Sequence, residues 1–225
     1  MKKIVMSLGG SLIVPDKINA DFLKKFRKLI VSLVKKKNQI GIVCGGGKIC
    51  RNYISAANKT KKIKGIDADW IGIMASRFNA ELVRAIFSDL AYEKVIYNPT
   101  ERFETKKKVL IAAGWLPGCS TDKDAVLLAK NLGADSLINL TNIDYVYDKD
   151  PRKFKSAKPI REIRWKNFRR IIGNKWKSGL NLPFDPVASR LAQKLELKVI
   201  ILRGSNLTNL KNCLEGKKFR GTVIN

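Results

Sequence analysis

A chain of 225 residues with 45% apolar content is long enough to bury a substantial core, either as one large α/β domain or as two small lobes. Its 45 basic and 19 acidic residues give a formal charge of +26, and it contains no histidine. These figures exclude several classes. No apolar run approaches the roughly 20 residues of a membrane span, and a Ser-His-Asp triad lacks its base. A zinc site would need an all-cysteine set, which Cys44, Cys50, Cys119 and Cys213 do not offer, having no C-x-x-C spacing. The cysteines are read as free, mostly buried thiols. The charge invites a nucleic-acid reading, but the lysines fall in short runs at 35–37, 59–64 and 106–108, without interleaved aromatics or a known motif. Specific nucleic-acid binding is therefore not expected; a solvated basic surface that steers anionic substrates is.

In chain order, residues 4–8 read as a buried strand that opens the fold directly, too short to be a signal peptide. Asn19 caps a helix over 20–37, whose Phe22, Leu23, Phe26, Leu29, Ile30, Leu33 and Val34 recur at helical spacing. A second strand covers 39–44 and a helix 48–57, followed by a lysine-rich loop to 65. Asp67 is the expected cap of a helix over 68–87 with Ile71, Met74, Phe78, Leu82 and Ile86 on one face. Strands are expected at 94–97, 109–113 and 136–140, with a helix at 121–131 between the last two. Asp150-Pro151 stops the pattern, and the basic stretch to 183 reads as a peripheral extension. A helix over 186–195, a strand over 198–202, a short helix over 207–214 and an edge strand over 221–224 complete the chain. This alternation calls for a three-layer α/β/α sandwich with a mostly parallel central sheet, as two lobes in one continuous fold.

Three glycine-bearing loops follow strands: Gly9-Gly10-Ser11, Gly45-Gly46-Gly47-Lys48 and Gly114-Trp115-Leu116-Pro117-Gly118. Glycine lets main chain approach a bulky anion, and the free N–H groups of a following helix supply hydrogen bonds and partial positive charge. One such loop is an ordinary βα connection. Three of them, joined by Thr141-Asn142-Ile143-Asp144 after a further strand, point to a protein that holds phosphates.

The ordered series also includes Arg51, Asp69 before Gly72-Ile73-Met74-Ala75-Ser76-Arg77-Phe78-Asn79-Ala80, Pro117-Gly118-Cys119-Ser120-Thr121-Asp122, Tyr147 with Asp150-Pro151, and Asp185-Pro186. Over essentially its whole length it resembles the archaeal-type UMP kinases of the amino-acid-kinase family. The resemblance implies an amino-acid-kinase fold as a single domain over 1–225. Its N-terminal part would lie mainly on the UMP side, and about 136–225 mainly on the ATP side. It implies transfer of the γ-phosphoryl group of ATP to UMP, Mg²⁺ accompanying ATP, a cytoplasmic location and a homo-oligomer, commonly a hexamer.

Residue by residue, the resemblance places Gly9, Gly10, Ser11, Gly47, Arg51, Thr141, Asn142, Tyr147 and Asp150 on ATP. It places Gly46, Asp69, Trp115, Leu116, Pro117, Gly118, Cys119, Ser120 and Thr121 on UMP. Asp185 falls near the transferring group, and Asp144 either reaches Mg²⁺ or ties down its turn. Each has a plainer role: Asp69 as a first-turn helix acid, Thr141-Asn142 as a cap, Asp185 as the N-cap before Pro186. The lack of histidine fits the chemistry, since a phosphate oxygen is already ionised near neutral pH and needs no general base. It also disfavours isopentenyl phosphate kinase, a relative that uses a histidine at its acceptor.

Two positions depart from the family pattern. Ser7 stands where many members carry lysine, and Lys48 is the expected substitute cation, because a lysine at a helix N-terminus is unfavourable without a bound anion. Tyr145 occupies a turn position that is commonly glycine. The alternatives left open are another phosphotransferase of the same family and a non-catalytic basic nucleic-acid-binding regulator on the same fold.

Overall fold

The computed structural model describes residues 2–102, 104–151, 153–175 and 182–225. Its main sheet begins with β1 (Lys3–Leu8), β2 (Gln39–Cys44), β3 (Val109–Ala112) and β4 (Ser136–Thr141). It is completed by β7 (Glu162–Ile163), β8 (Val199–Arg203) and β9 (Thr222–Ile224), in the order β3-β2-β1-β4-β8-β9-β7. The first five strands in that order run parallel, with Met6 opposite Ile42 on one side and Ile138 on the other. Only β9 runs antiparallel to β8. A separate two-stranded ribbon joins β5 (Val146–Tyr147) to β6 (Pro159–Ile160).

The period of two along β1 sends Ile4, Met6 and Leu8 to one face and Val5 and Ser7 to the other. On the first face pack α2 (Ala20–Lys35), α4 (Gly65–Ile86) and α8 (Leu207–Leu214), around a core with Phe26 and Phe87 at 6.5 Å edge to face. On the second pack α5 (Thr121–Leu132), α6 (Trp165–Ile172) and α7 (Pro186–Lys194), around Trp165, Phe168 and Phe184. The helices start where the sequence says they can. Asn19 accepts from Phe22 N at 3.1 Å, Ser120 from Asp122 N at 3.2 Å, and Asp185 precedes Pro186 as the N-cap of α7. Gly133 ends α5 in the left-handed conformation at φ 60°.

The architecture is the expected three-layer α/β/α sandwich, with local corrections. Residues 94–97 form no strand, only a single bridge from Ile96 to Ala112. The helix expected from 68 starts three residues earlier at Gly65, so Asp67 lies in its first turn and Lys64 is the N-cap. Its expected apolar face is only partly the buried one: Leu82 and Ile86 pack against the core, but Met74 and Phe78 are exposed at 58% and 72%, while the smaller Ala75, Ser76, Asn79, Ala80 and Val83 face inward. Spacing identifies a stripe, but not whether that stripe meets this chain or solvent. The stretch after Asp150 is not merely peripheral, because it supplies edge strand β7 and the core residues Trp165, Phe168 and Ile172; its part at 176–181 lies outside the described residues. Consequently β9, expected at an edge, is paired on both sides. All four cysteines are free, but only Cys44 is fully buried.

Candidate functional site

The glycine loops meet at the C-terminal ends of β1, β2 and β3, where parallel α/β sheets present their ligand sites. Gly10 lies directly on the second loop: a side-chain carbon there would fall 2.2 Å from Gly47 N and 2.4 Å from Gly45 O. Gly47 is left-handed at φ 68°, and its own Cβ would fall 2.4 Å from Gly10 O. No residue but glycine fits at either position, so the two loops form one backbone surface. Three helices, α1 (Gly10–Ile13), α3 (Gly47–Thr60) and α5, open from this end of the sheet and direct their free N–H groups toward it.

Helix α4 holds the loops in register. Asn79 is buried, and its amide donates to Gly45 O at 2.8 Å and Gly46 O at 3.2 Å. Ser76 Oγ accepts from Gly114 N at 2.9 Å. Arg77 donates to Gly114 O and Trp115 O at 3.2 and 3.4 Å while stacking over Tyr97 at 4.4 Å. Asp69 accepts from Gly118 N at 2.9 Å, which fastens the third loop to the start of the helix. Sequence reading quoted Ser76, Arg77 and Asn79 without giving them a role. The signal was available in principle, since two polar residues three apart on an otherwise apolar helix face require partners when buried.

Three aspartates form the floor. Asp122 accepts from Ser7 Oγ at 3.0 Å and from Asp185 N at 3.2 Å. Asp185, 4% exposed, accepts from Ala188 N at 3.0 Å, from Val187 N, and from Ser120 N at 2.8 Å. Asp124, 2% exposed, accepts from Trp115 N at 3.2 Å through Oδ2, and its Oδ1 has no partner. Desolvation, with the charge of Asp185 second, pushes Asp122 up to about 6. Desolvation pushes Asp124 up to about 7 against the pull of Trp115 N and Lys123. Cys119 is driven up to about 12, first by desolvation and then by Asp124, so it is an inert thiol.

On the far side, a cleft of about 770 Å³ brings together Thr141, Asn142, Tyr147 and Asp150, with Tyr145 in its wall. No helix follows Thr141-Asn142, so the capping role falls away. Asp144 is held by Arg203 in a two-pronged ion pair at 2.9 and 3.0 Å, a partner sequence reading missed. Lys48 lies at the start of α3 but reaches back to Asp16 rather than into the space between the loops. Arg51 is exposed on the same helix. Among the described residues no group of three or more acidic, cysteine or histidine side chains could enclose a metal ion. Asp122, Asp185 and Asp144 are engaged by main-chain amides, Ser7 and Arg203, and only Asp124 keeps an unpartnered oxygen, Oδ1.

The comparisons agree with this geometry. The amino acid kinase family profile matches residues 2–203. The uridylate kinase of Pyrococcus abyssi is 34% identical over 225 residues, covering 99% of both chains. That of Thermoplasma volcanium is 36% identical over 220 residues, covering 96% of this chain and 94% of its own. The crystal structure of uridylate kinase from Archaeoglobus fulgidus superposes with a TM-score of 0.83 at 32% identity and full coverage of both chains. The UMP kinase of Bacillus anthracis, at 21% identity, shares the fold with a TM-score of 0.80 over 100% of this chain and 96% of its own. The chain belongs to the amino acid kinase family.

Proposed function

We propose that the protein is a UMP kinase, transferring the γ-phosphoryl group of ATP to UMP. The observation that carries the reading is the interlocked pair of glycine loops beneath three helix N-termini, faced by a third loop clamped to α4 through Asp69, Arg77 and Ser76. Such a surface suits a nucleoside triphosphate and a nucleoside monophosphate brought phosphate to phosphate. Full-length relatives named as uridylate kinases support the acceptor assignment.

UMP would lie along the loop from Trp115 to Thr121, with Asp69 presenting its remaining carboxylate oxygen and Gly46 below. ATP would run from the Thr141, Asn142, Tyr147 and Asp150 cleft across Gly9, Gly10, Ser11, Gly47 and Arg51. The single domain would thus divide into an acceptor side and, from about residue 136, a donor side. The attacking group is an ionised phosphate oxygen, so the chain's task is alignment and charge neutralisation rather than proton removal. Lys48, released from Asp16, would face the transferring group, while Asp185 fixes the start of the acceptor helix through Ser120 N. Mg²⁺ would enter with the ATP phosphates, as is usual for an ion that keeps few protein ligands. Asp144, already paired with Arg203, would serve the shape of the donor loop.

The protein is proposed to act in the cytoplasm; no helix among the described residues is long and apolar enough to cross a membrane. It is proposed to assemble with itself, as a hexamer by family likeness. Ile66, Trp70, Met74 and Phe78 recur every four residues along α4 and are 42–72% exposed, an apolar stripe too continuous for an isolated monomer. A coupled ADP-release assay with UMP, CMP, dUMP and isopentenyl phosphate tests the activity. UMP is expected to give the highest kcat/KM; a preference for another acceptor overturns the assignment.

A further inference from the structure

We propose that the end of the sheet opposite the site is a docking face for the phosphate backbone of a nucleic-acid duplex, held without regard to base sequence. The site's own side chains carry no positive excess, with Lys48, Arg51, Arg77 and Arg203 against Asp69, Asp122, Asp124, Asp144, Asp150 and Asp185. The excess charge of +26 is therefore not accounted for where nucleotide phosphates would bind. Much of it collects instead where the five parallel strands begin. Four main-chain hydrogen bonds join neighbouring strands there, and each is accepted by a lysine carbonyl. Ile40 N donates to Lys108 O, Gln39 N to Lys2 O, Asp135 N to Lys3 O and Leu137 N to Lys198 O, all at 2.8–3.0 Å. The two outer strands of the parallel set, β3 and β8, and the central β1 thus each have a lysine at or beside their first residue, while β2 and β4, which begin after Asn38 and Asp135, do not.

Helix C-termini attract lysine through their free carbonyls, which explains Lys35, Lys130 and Lys194 in the last turns of α2, α5 and α7. It does not explain Lys2, Lys106 and Lys198, which lie at no helix end. All three are exposed, and among the described residues none forms an ion pair. Acidic groups are present on this face but mostly engaged: Glu93 by Lys107, Glu215 by Lys36 and Lys217, Asp135 by Lys3 N. Glu104 and Glu196 remain as exposed acids.

The shape and chemistry of the row select the partner. Four strand spacings of about 4.8 Å make a row of about 19 Å, which parallels roughly eleven phosphates of a duplex carrying one charge per 1.7 Å of axis. None of the exposed large apolar side chains of the described residues lies in the segments that form this end. A membrane surface needs such groups to insert, and single strands need aromatic platforms for base stacking; a duplex backbone needs neither.

The test measures binding of double-stranded DNA of about twenty base pairs, in two unrelated sequences, across a salt series. Controls are the matching single strand and vesicles of phosphatidylserine in phosphatidylcholine. Equal binding of both duplexes is expected. The triple variant Lys2→Glu/Lys106→Glu/Lys198→Glu should bind at least about tenfold more weakly, with the slope of log K against log salt reduced by about 2–3. Lys24→Glu/Lys25→Glu/Lys28→Glu makes the same charge change on the exposed side of α2 and should alter binding less than about threefold. Turnover should be unchanged in both. Should the reversal variant not fold, the Lys→Gln set at the same three positions is expected to shift binding in the same direction. Equal losses in the two triple variants, tighter binding of the single strand, or binding to vesicles alone would each overturn the proposal.

Discussion

Ser120 and Asp185 are each the N-cap of a helix, and each is tied to the other: the Ser120 amide donates to Asp185 Oδ2 at 2.8 Å while Asp185 Oδ1 caps α7. The start of the acceptor helix and the start of α7 therefore move as one.

Asp185→Asn keeps one carbonyl oxygen and loses the second acceptor, so either the cap or the link to Ser120 is lost. A kcat at least roughly tenfold lower is expected, with a stability cost of about 1 kcal/mol for the weakened cap. Unchanged kcat with a lower Tm would leave Asp185 a purely structural role.

Asp124 gives a pH dependence of stability. Its carboxyl titrates near 7 in the folded chain, against 3.8 as the ordinary value. The native state then holds a proton that the unfolded chain releases, and stability falls as pH rises from about 4 to 7. Asp122, raised to about 6, acts in the same direction. Asp124→Asn retains an acceptor for Trp115 N and should flatten this slope, gaining on the order of 2 kcal/mol at pH 8 and little at pH 4.5. Urea titrations at the two pH values decide it; parallel curves for both proteins would refute the assignment.

Lys48→Ala should lower kcat by about 10²–10³, the usual scale for removing a cation from a phosphoryl-transfer site. Lys106→Ala, on the far end of the sheet, should leave kcat unaltered. Ser7 is 4% exposed and bonded to Asp122, so Ser7→Lys would seat an ammonium beside Asp122 and Asp185. In the Lys48→Ala background it should recover part of the rate. Near-normal turnover by Lys48→Ala alone would end its proposed role.

Met74→Glu/Phe78→Glu should reduce the molar mass measured by light scattering after gel filtration, because two charges would be desolvated in any contact across α4. An unaltered mass would place the assembly interface elsewhere.

The elements legible in the sequence were those whose cause is local. Asn19 and Asp185-Pro186 announce their helices, and the apolar runs announce β1, β2, β4 and β8 without reference to anything distant. What was not legible depends on partners far along the chain. The tie of Asn79 to Gly45 spans 34 residues, and that of Arg203 to Asp144 spans 59. The resting position of Lys48 depends on Asp16, an exposed side chain in a loop with no periodic signal. Met74 and Phe78 fit a helical stripe as well as any core residue, and only the packed chain reveals that they look outward.

Phe78 is flanked in sequence by Arg77, which grips the third loop, and Asn79, which grips the second. One turn of α4 therefore has its outer surface and both of its loop holds at consecutive positions. A displacement of that turn would act on both loops at once. In the proposed assembly, a neighbouring copy packed against Met74 and Phe78 would thus bear on the one helical turn from which both loops are held.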